Sequence, residues 1–138
     1  MPAERGPRQA LVLVLGTLAA IGAAAVAGSR WVDVVEVRGR SMAPGLRPGD
    51  RLLVEALSFR RRAPRTGEIV LAADPRQPSR ELVKRVGLVD PSSGSAELVG
   101  DAPEASTDSR TFGPVALADI RWRAATRVWP PGRIGTLR

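Results

Sequence analysis

The apolar positions of this chain fall into one long run near the start and several short ones after it. From Ala10 to Ser29, ALVLVLGTLAAIGAAAVAGS, no charge interrupts the pattern. Wound as a helix, a run of this length spans about 30 Å, the thickness of a bilayer's hydrocarbon core. It predicts a single transmembrane anchor over residues 10–29. Arg5 and Arg8 lie in the preceding tail, residues 1–9. The positive-inside rule then puts that tail in the cytoplasm and residues 30–138 outside it, as a single-pass protein of the cell membrane. A cleavable signal peptide competes for the same residues, because AVAGS offers an Ala-x-Ala site ending at Ala27. The run exceeds the roughly 7–15 apolar residues of a usual signal-peptide core, which favours a retained anchor.

Beyond residue 30 the period changes. WVDVVEV (31–37) is short and β-branched; Gly49 and Asp50 punctuate before RLLVE, and Gly67 before EIVLA. ELVKRVGLV (81–89) is a further strand candidate. No segment here sustains a 3.6-residue period, and Pro (12) and Gly (14) are frequent. The pattern predicts one small, mostly β domain over 30–138 with many irregular connections. FRRRAPR (59–65) reads as a basic loop, and no internal repeat is present.

Composition then removes whole classes of chemistry. The chain has no cysteine and no histidine. Disulfides, Cys- or His-ligated metals and Ser-His-Asp triads are excluded together, so no cofactor is expected. Acid–base work is left to Asp, Glu, Lys, hydroxyls and the backbone. The net charge of +7 points to an anionic partner, nucleic acid or a membrane surface.

Of the 21 basic residues, Lys84 alone is lysine. On a strand, Leu82, Lys84 and Val86 share one face. An amine on so apolar a face loses its proton more readily, which arginine cannot do. Lys84 is therefore a candidate general base, with a chance surface lysine as the equal alternative. A base needs a nucleophile, and Ser41 in RGRSMAPGLRPGD (38–50) is the candidate. It follows a strand, in a Gly/Pro turn that leaves its N–H free to donate to an oxyanion. Taken alone, such a serine is more often a plain turn residue.

In order along the chain stand SMAPGL around Ser41, GDRLLV (49–54), GEIVLA (67–72), LVKRVG (82–87), GDAPEASTDSRTFGPV (100–115) and WPPGRIG (129–135). Together they resemble the bacterial type I signal peptidases, membrane-anchored proteases of the Ser/Lys class. The resemblance covers nearly all the chain beyond Val34. It implies that Ser41 is the nucleophile and contributes its N–H to the oxyanion hole, and that Lys84 is the general base. It implies that Ser106 orients the lysine amine, and that Asp108 and Arg110 form an ion pair beside the site. It implies cleavage of preprotein signal peptides after small residues at −1 and −3, at the surface of a lipid bilayer.

Some positions depart from the pattern. Gly45 stands where threonine is common, and Ala102 where asparagine is usual. Gly39 stands where some relatives carry a serine that completes the oxyanion hole. The short spacing between LVKRVG and GDAPEAS leaves no room for the extra β-domain of larger signal peptidases, so a minimal core is expected. Two functions compete. One is a dedicated maturation protease resembling those of nickel superoxide dismutase, which often lack an anchor. The self-cleaving repressor type is a further Ser/Lys relative, and both the apolar run and WPPGRIG count against it. The other is a membrane-tethered basic module in which Arg60, Arg61, Arg62 and Arg65 contact nucleic acid or lipid. It leaves the single lysine without a purpose, and the chain has few aromatics for base stacking, so no nucleic acid is expected.

Overall fold

The computed structural model describes residues 7–137, with side chains from Val14 on. The tail 1–6, with Arg5, lies outside the described residues, as does the side chain of Arg8. The chain divides into two units, one ending at Trp31 and one beginning at Val32.

The first unit is a helix, α1 (Pro7–Gly28), rich in the strong helix formers Ala and Leu. Its Val14, Leu15, Leu18, Ile21 and Val26 are all exposed. Among the described residues no helix is long and apolar enough to cross a membrane. Nine of the fifteen residues from Val14 to Gly28 are Ala or Gly, which carry little apolar surface.

The second unit is mostly β, as its patterning predicts. Its strands are β1 (Val32–Glu36), β2 (Arg51–Glu55), β3 (Ile69–Asp74), β4 (Gln77–Asp90), β5 (Ser95–Val99), β6 (Val115–Ala116) and β7 (Ile120–Trp129). A one-turn helix, α2 (Ser109–Phe112), lies between β5 and β6. The strands form one sheet in the order β1-β2-β7-β3-β4-β5-β6. Every neighbouring pair is antiparallel.

The first four strands are those foreseen, with β4 longer than expected. Strand β7 was not foreseen, yet it lies inside the sheet between β2 and β3. Its arginines hide the strand period. Arg123 donates to Glu55 on β2 at 2.7 Å, so a charged position sits satisfied within the sheet.

Strand β3 is buried along its whole length and divides two hydrophobic clusters by its period of two. Ile69 and Leu71 pack with Val37, Met42, Leu46, Leu52, Val54 and Ala124. Val70 and Ala72 pack with Val86, Ala96, Leu98, Val115 and Ile120. Strands β4 and β5 are joined by the exposed turn 91–94, where Gly94 takes φ 66. The basic loop 59–65 is partly consumed internally: Arg62 pairs with Glu68 at 2.5 Å and its guanidinium lies over the Phe59 ring.

Candidate active site

Lys84 takes its position from β4. Leu82, Lys84 and Val86 are 7%, 3% and 1% exposed, so the face predicted to be apolar is buried. Lys84 pairs across the ladder with Val70 of β3. Burial disfavours its charged form and pushes its pKa below the ordinary lysine value. The charge of Asp108 opposes that fall, while Arg110, Arg80 and Arg76 add to it. The Nζ donates to Ser106 Oγ at 2.9 Å. A neutral amine that gives one N–H to this bond has its lone pair turned to a different direction.

The segment 100–113 supports that amine. Ser106 Oγ passes the chain of bonds on, donating to Asp108 Oδ2 at 2.5 Å. Asp108 is fully buried. Its carboxylate also accepts from the Gly100 N–H at 2.8 Å, the Arg110 N–H at 3.1 Å, and Arg110 Nε and Nη2 at 2.9 and 2.5 Å. Charge-assisted bonds of this kind hold a carboxylate ionised. The Arg110 guanidinium above all keeps the Asp108 pKa far below the usual range, against the effect of burial. Asp108 also caps α2, and Ser109 Oγ accepts the Leu98 N–H at 2.8 Å, tying the helix to β5.

The Ser41 segment is irregular and is held from three sides. Met42 and Leu46 anchor it in the first hydrophobic cluster. The Ala43–Pro44 peptide is cis. Asp50, 2% exposed, accepts from the Arg47 N–H at 3.0 Å, from Arg133 Nη1 at 2.8 Å and from Arg127 Nη1 at 3.3 Å. The same two arginines donate to the Gly45 carbonyl, at 2.8 Å from Arg127 and 3.0 Å from Arg133. On the third side the Ala102 N–H donates to the Ser41 carbonyl at 2.9 Å.

Gly100 is where the two segments meet. A Cβ on it would lie 2.2 Å from Ser106 Oγ and 2.6 Å from the Ser41 carbonyl oxygen, so only glycine fits between them. At Gly39, by contrast, a Cβ would meet nothing within 4 Å.

Ser41 and Lys84 line one cleft of about 730 Å³, with Val35, Met42, Leu82, Ala105 and Thr107 among its walls. Lys84, Ser106, Asp108 and Arg110 form one chain of hydrogen bonds. Ser41 shares a cleft with Lys84, but among the described residues no hydrogen bond links its hydroxyl to the amine. Its N–H likewise donates to no group among the described residues. Those residues include no group of three side chains able to hold a metal.

Sequence reading missed Gly100, the Asp50–Arg127–Arg133 cluster, and Arg76 and Arg80 on the cleft wall. The signals were present in GD (49–50) and WPPGRIG, but they register as turn chemistry until the fold pairs them.

Residues 10–90 match the family described as signal peptidase, peptidase S26. Relatives cover most of the chain. The mitochondrial ATP-independent inner membrane protease subunit 1a of Arabidopsis thaliana is 39% identical, over 78% of this chain and 76% of its own. The mitochondrial inner membrane protease subunit 1 of Xenopus tropicalis is 38% identical, over 77% and 74%. Subunit 2 from Danio rerio is 30% identical, over 93% and 81%. With its buried lysine facing the same cleft as a turn serine, this chain belongs to the signal peptidase family, peptidase S26, and is a signal-peptidase-like hydrolase.

Proposed function

We propose that this chain is a membrane-anchored serine endopeptidase that cuts signal peptides from exported preproteins after small residues at −1 and −3, with Ser41 and Lys84 as its catalytic pair. The observation that carries this reading is the burial of Lys84. It lowers the lysine pKa, and the amine is held by Ser106 in the cleft that Ser41 also lines.

Neutral Lys84 takes the Ser41 proton as Oγ attacks the scissile carbonyl carbon. The tetrahedral oxyanion accepts from the Ser41 N–H. As the C–N bond breaks, the ammonium of Lys84 returns its proton to the leaving amine. Water, deprotonated by the same amine, then hydrolyses the acyl-enzyme and regenerates Ser41. Ser106 and Asp108 position the amine, and Arg110 keeps Asp108 ionised. Gly39 supplies no side-chain donor, so a backbone group or water is the second oxyanion donor.

The sheet supports an extended substrate. Strand β1 is an edge strand paired only with β2, and Gln77 and residues 81–84 of β4 pair only with β3, since the β5 ladder begins at Arg85. Val35 and Leu82–Lys84 from these strands line the cleft. A peptide laid there as a strand finds unpaired backbone groups along its length. Residues 10–29 are assigned as the membrane anchor, with the tail inside and 30–138 outside the cytoplasm. Arg5, Arg8 and the uncharged run support this assignment.

The test is cleavage of an Ala-x-Ala peptide by the full-length protein in detergent, with the cut site read by mass spectrometry. A peptide with Trp at −1 is the specificity control and Ser41→Ala the blank. Cleavage after the −1 Ala, lost in both controls, is expected. Equal cleavage by Ser41→Ala overturns the reading. In spheroplasts, external protease should digest the β unit and spare an N-terminal tag; the reverse pattern overturns the topology.

A further inference from the structure

The cleft carries more positive charge than proton transfer from Ser41 requires. Arg38, Arg40, Arg76 and Arg80 line it, against Glu36 and Glu81. Glu36 already has Arg51 at 3.8 Å. Arg76 is neutralised by buried Asp74 at 2.8 Å and its guanidinium lies over the Phe112 ring. The guanidinium groups of Arg38, Arg40 and Arg80 make no hydrogen bond or ion pair among the described residues. Three cations thus line a concave site without a direct ion pair, although Arg80 also feels the charge of Asp74, which Arg76 already pairs, and Glu81 shares the wall.

Arg80 is the best placed of them. Arg80, Leu82 and Lys84 all line the cleft from β4, with Arg80 at the end of the irregular stretch between Gln77 and Glu81. Arg80 is therefore at most about 13 Å along the strand from Lys84. A peptide lying beside β4 has the same rise, so its residue about four positions from the cut bond falls at Arg80. The electrostatic reach of Arg80 to the Lys84 amine is consistent with that placement. These arginines are exposed at the rim of the same cleft that Ser41 and Lys84 line, so a peptide held at Ser41 passes them.

We propose that this cleft selects peptides with aspartate or glutamate about four to five residues from the scissile bond, read by Arg80 with Arg38 and Arg40 on the segment after β1. The proposal rests on the reading of Ser41 as the point of cleavage. Each acidic residue is expected to tighten binding by about five-fold, the upper end for an ion pair in contact with water. Added salt weakens the preference.

The experiment measures binding and cleavage separately on the full-length protein in zwitterionic detergent. Fluorescent Ala-x-Ala peptides carry Asp, Asn or Lys at the fourth position on either side of the cut, and affinity is read by anisotropy. On at least one side, the Asp peptide should bind about five-fold tighter than the Asn peptide, with the Lys peptide weakest. Arg80→Glu should invert the order so that Lys is preferred, and Arg80→Gln should flatten it. Equal affinities on both sides, or an order unchanged in Arg80→Glu, overturn the proposal. So does a flat peptide order together with loss of binding to phosphatidylglycerol vesicles in Arg80→Glu, which would assign the arginines to lipid. Charge-selective binding that Arg80→Glu inverts, without cleavage of any peptide, sustains Arg80 as the contact for acidic peptides but removes the peptidase reading and the spacing to a cut bond.

Discussion

Two buried aspartates hold the two irregular segments of the candidate site, and they differ in what they touch. Asp50 ties the Ser41 segment to Arg127 and Arg133, residues far along the chain, and makes no contact with Lys84. Asp108 is held by Arg110, two residues away, and its other oxygen contacts reach Ser106, which bonds Lys84 Nζ. Both are carboxylates paired with arginine, and the pairing alone does not separate them. The distance to the amine does: one aspartate fixes where a backbone lies, the other also sets the charge around the buried amine of Lys84.

The sharpest break of that comparison is at the end of the Asp108 chain. Lys84→Arg keeps the charge and much of the length but cannot lose its proton at usable pH. Turnover should fall to the level of Ser41→Ala while circular dichroism shows the sheet intact. Substantial turnover in a folded Lys84→Arg protein would remove the base from the mechanism.

Gly100→Ala strikes both segments at once, because its Cβ would overlap Ser106 Oγ and crowd the Ser41 carbonyl. A loss of about a hundred-fold or more in kcat/KM is expected, since misplacements of about 1 Å cost that much. Near-normal rates would mean that the two segments need not meet there.

Ser106→Ala and Asp108→Asn should lower turnover by roughly 10–1000-fold, as lost supporting hydrogen bonds do. Their pH profiles should differ. If Lys84 is the base, wild-type kcat/KM should rise with pH as Lys84 becomes neutral, through a pKa below the ordinary lysine value. The Asp108 charge raises that pKa, so Asp108→Asn should move the rise to lower pH. Ser106→Ala removes no charge and should leave it nearly in place. A rise that moves upward in Asp108→Asn would contradict the electrostatic role.

The smallest effect on rate belongs to Asp50→Asn. It leaves two partly exposed arginines without their carboxylate, at a cost of about 2–3 kcal/mol, reduced from the fully buried case by their access to water. The melting temperature should drop while the rise of kcat/KM with pH stays where it was. A shifted pH profile would show that the two aspartates are not distinct in function.

Acid stability follows from the same groups. The contribution of Asp108 is present above the ordinary carboxylate range and is lost as pH falls toward its lowered pKa. Protonated Lys84 costs stability, and that cost is relieved as pH rises from its lowered pKa toward the ordinary one.

What the sequence made legible follows the range of the interactions. Strands β1 to β4 carry their apolar period locally, so they could be read without a fold. The face shared by Leu82, Lys84 and Val86 could be read for the same reason. Strand β7 could not, because Arg121, Arg123 and Arg127 break its period, and the partners of Arg123 and Arg127 are 68 and 77 residues away. Gly100 was visible as a glycine, but the need for it arises only where Ser41 and Ser106 converge in space. Arg80 read as one arginine among twenty until the unpaired edge of β4 placed it on the cleft. Ser41 was a candidate from its Gly/Pro turn, whereas Ser106, Asp108 and Arg110 were named through resemblance to a family, since no local pattern connects residues 41 and 84 with 106–110.

The solitary lysine also makes this protein its own spectroscopic probe. Lysine labelled with carbon-13 at the ε position would enter the chain at one site, so the side-chain methylene would give a single resonance that needs no assignment. Its chemical shift against pH would titrate the buried amine directly, in the presence or absence of bound peptide. Reductive methylation would label that amine and the chain's α-amino group, with no other primary amine to compete. Few proteases report the protonation of one chosen atom without mutation, and here the sequence has already removed every other signal.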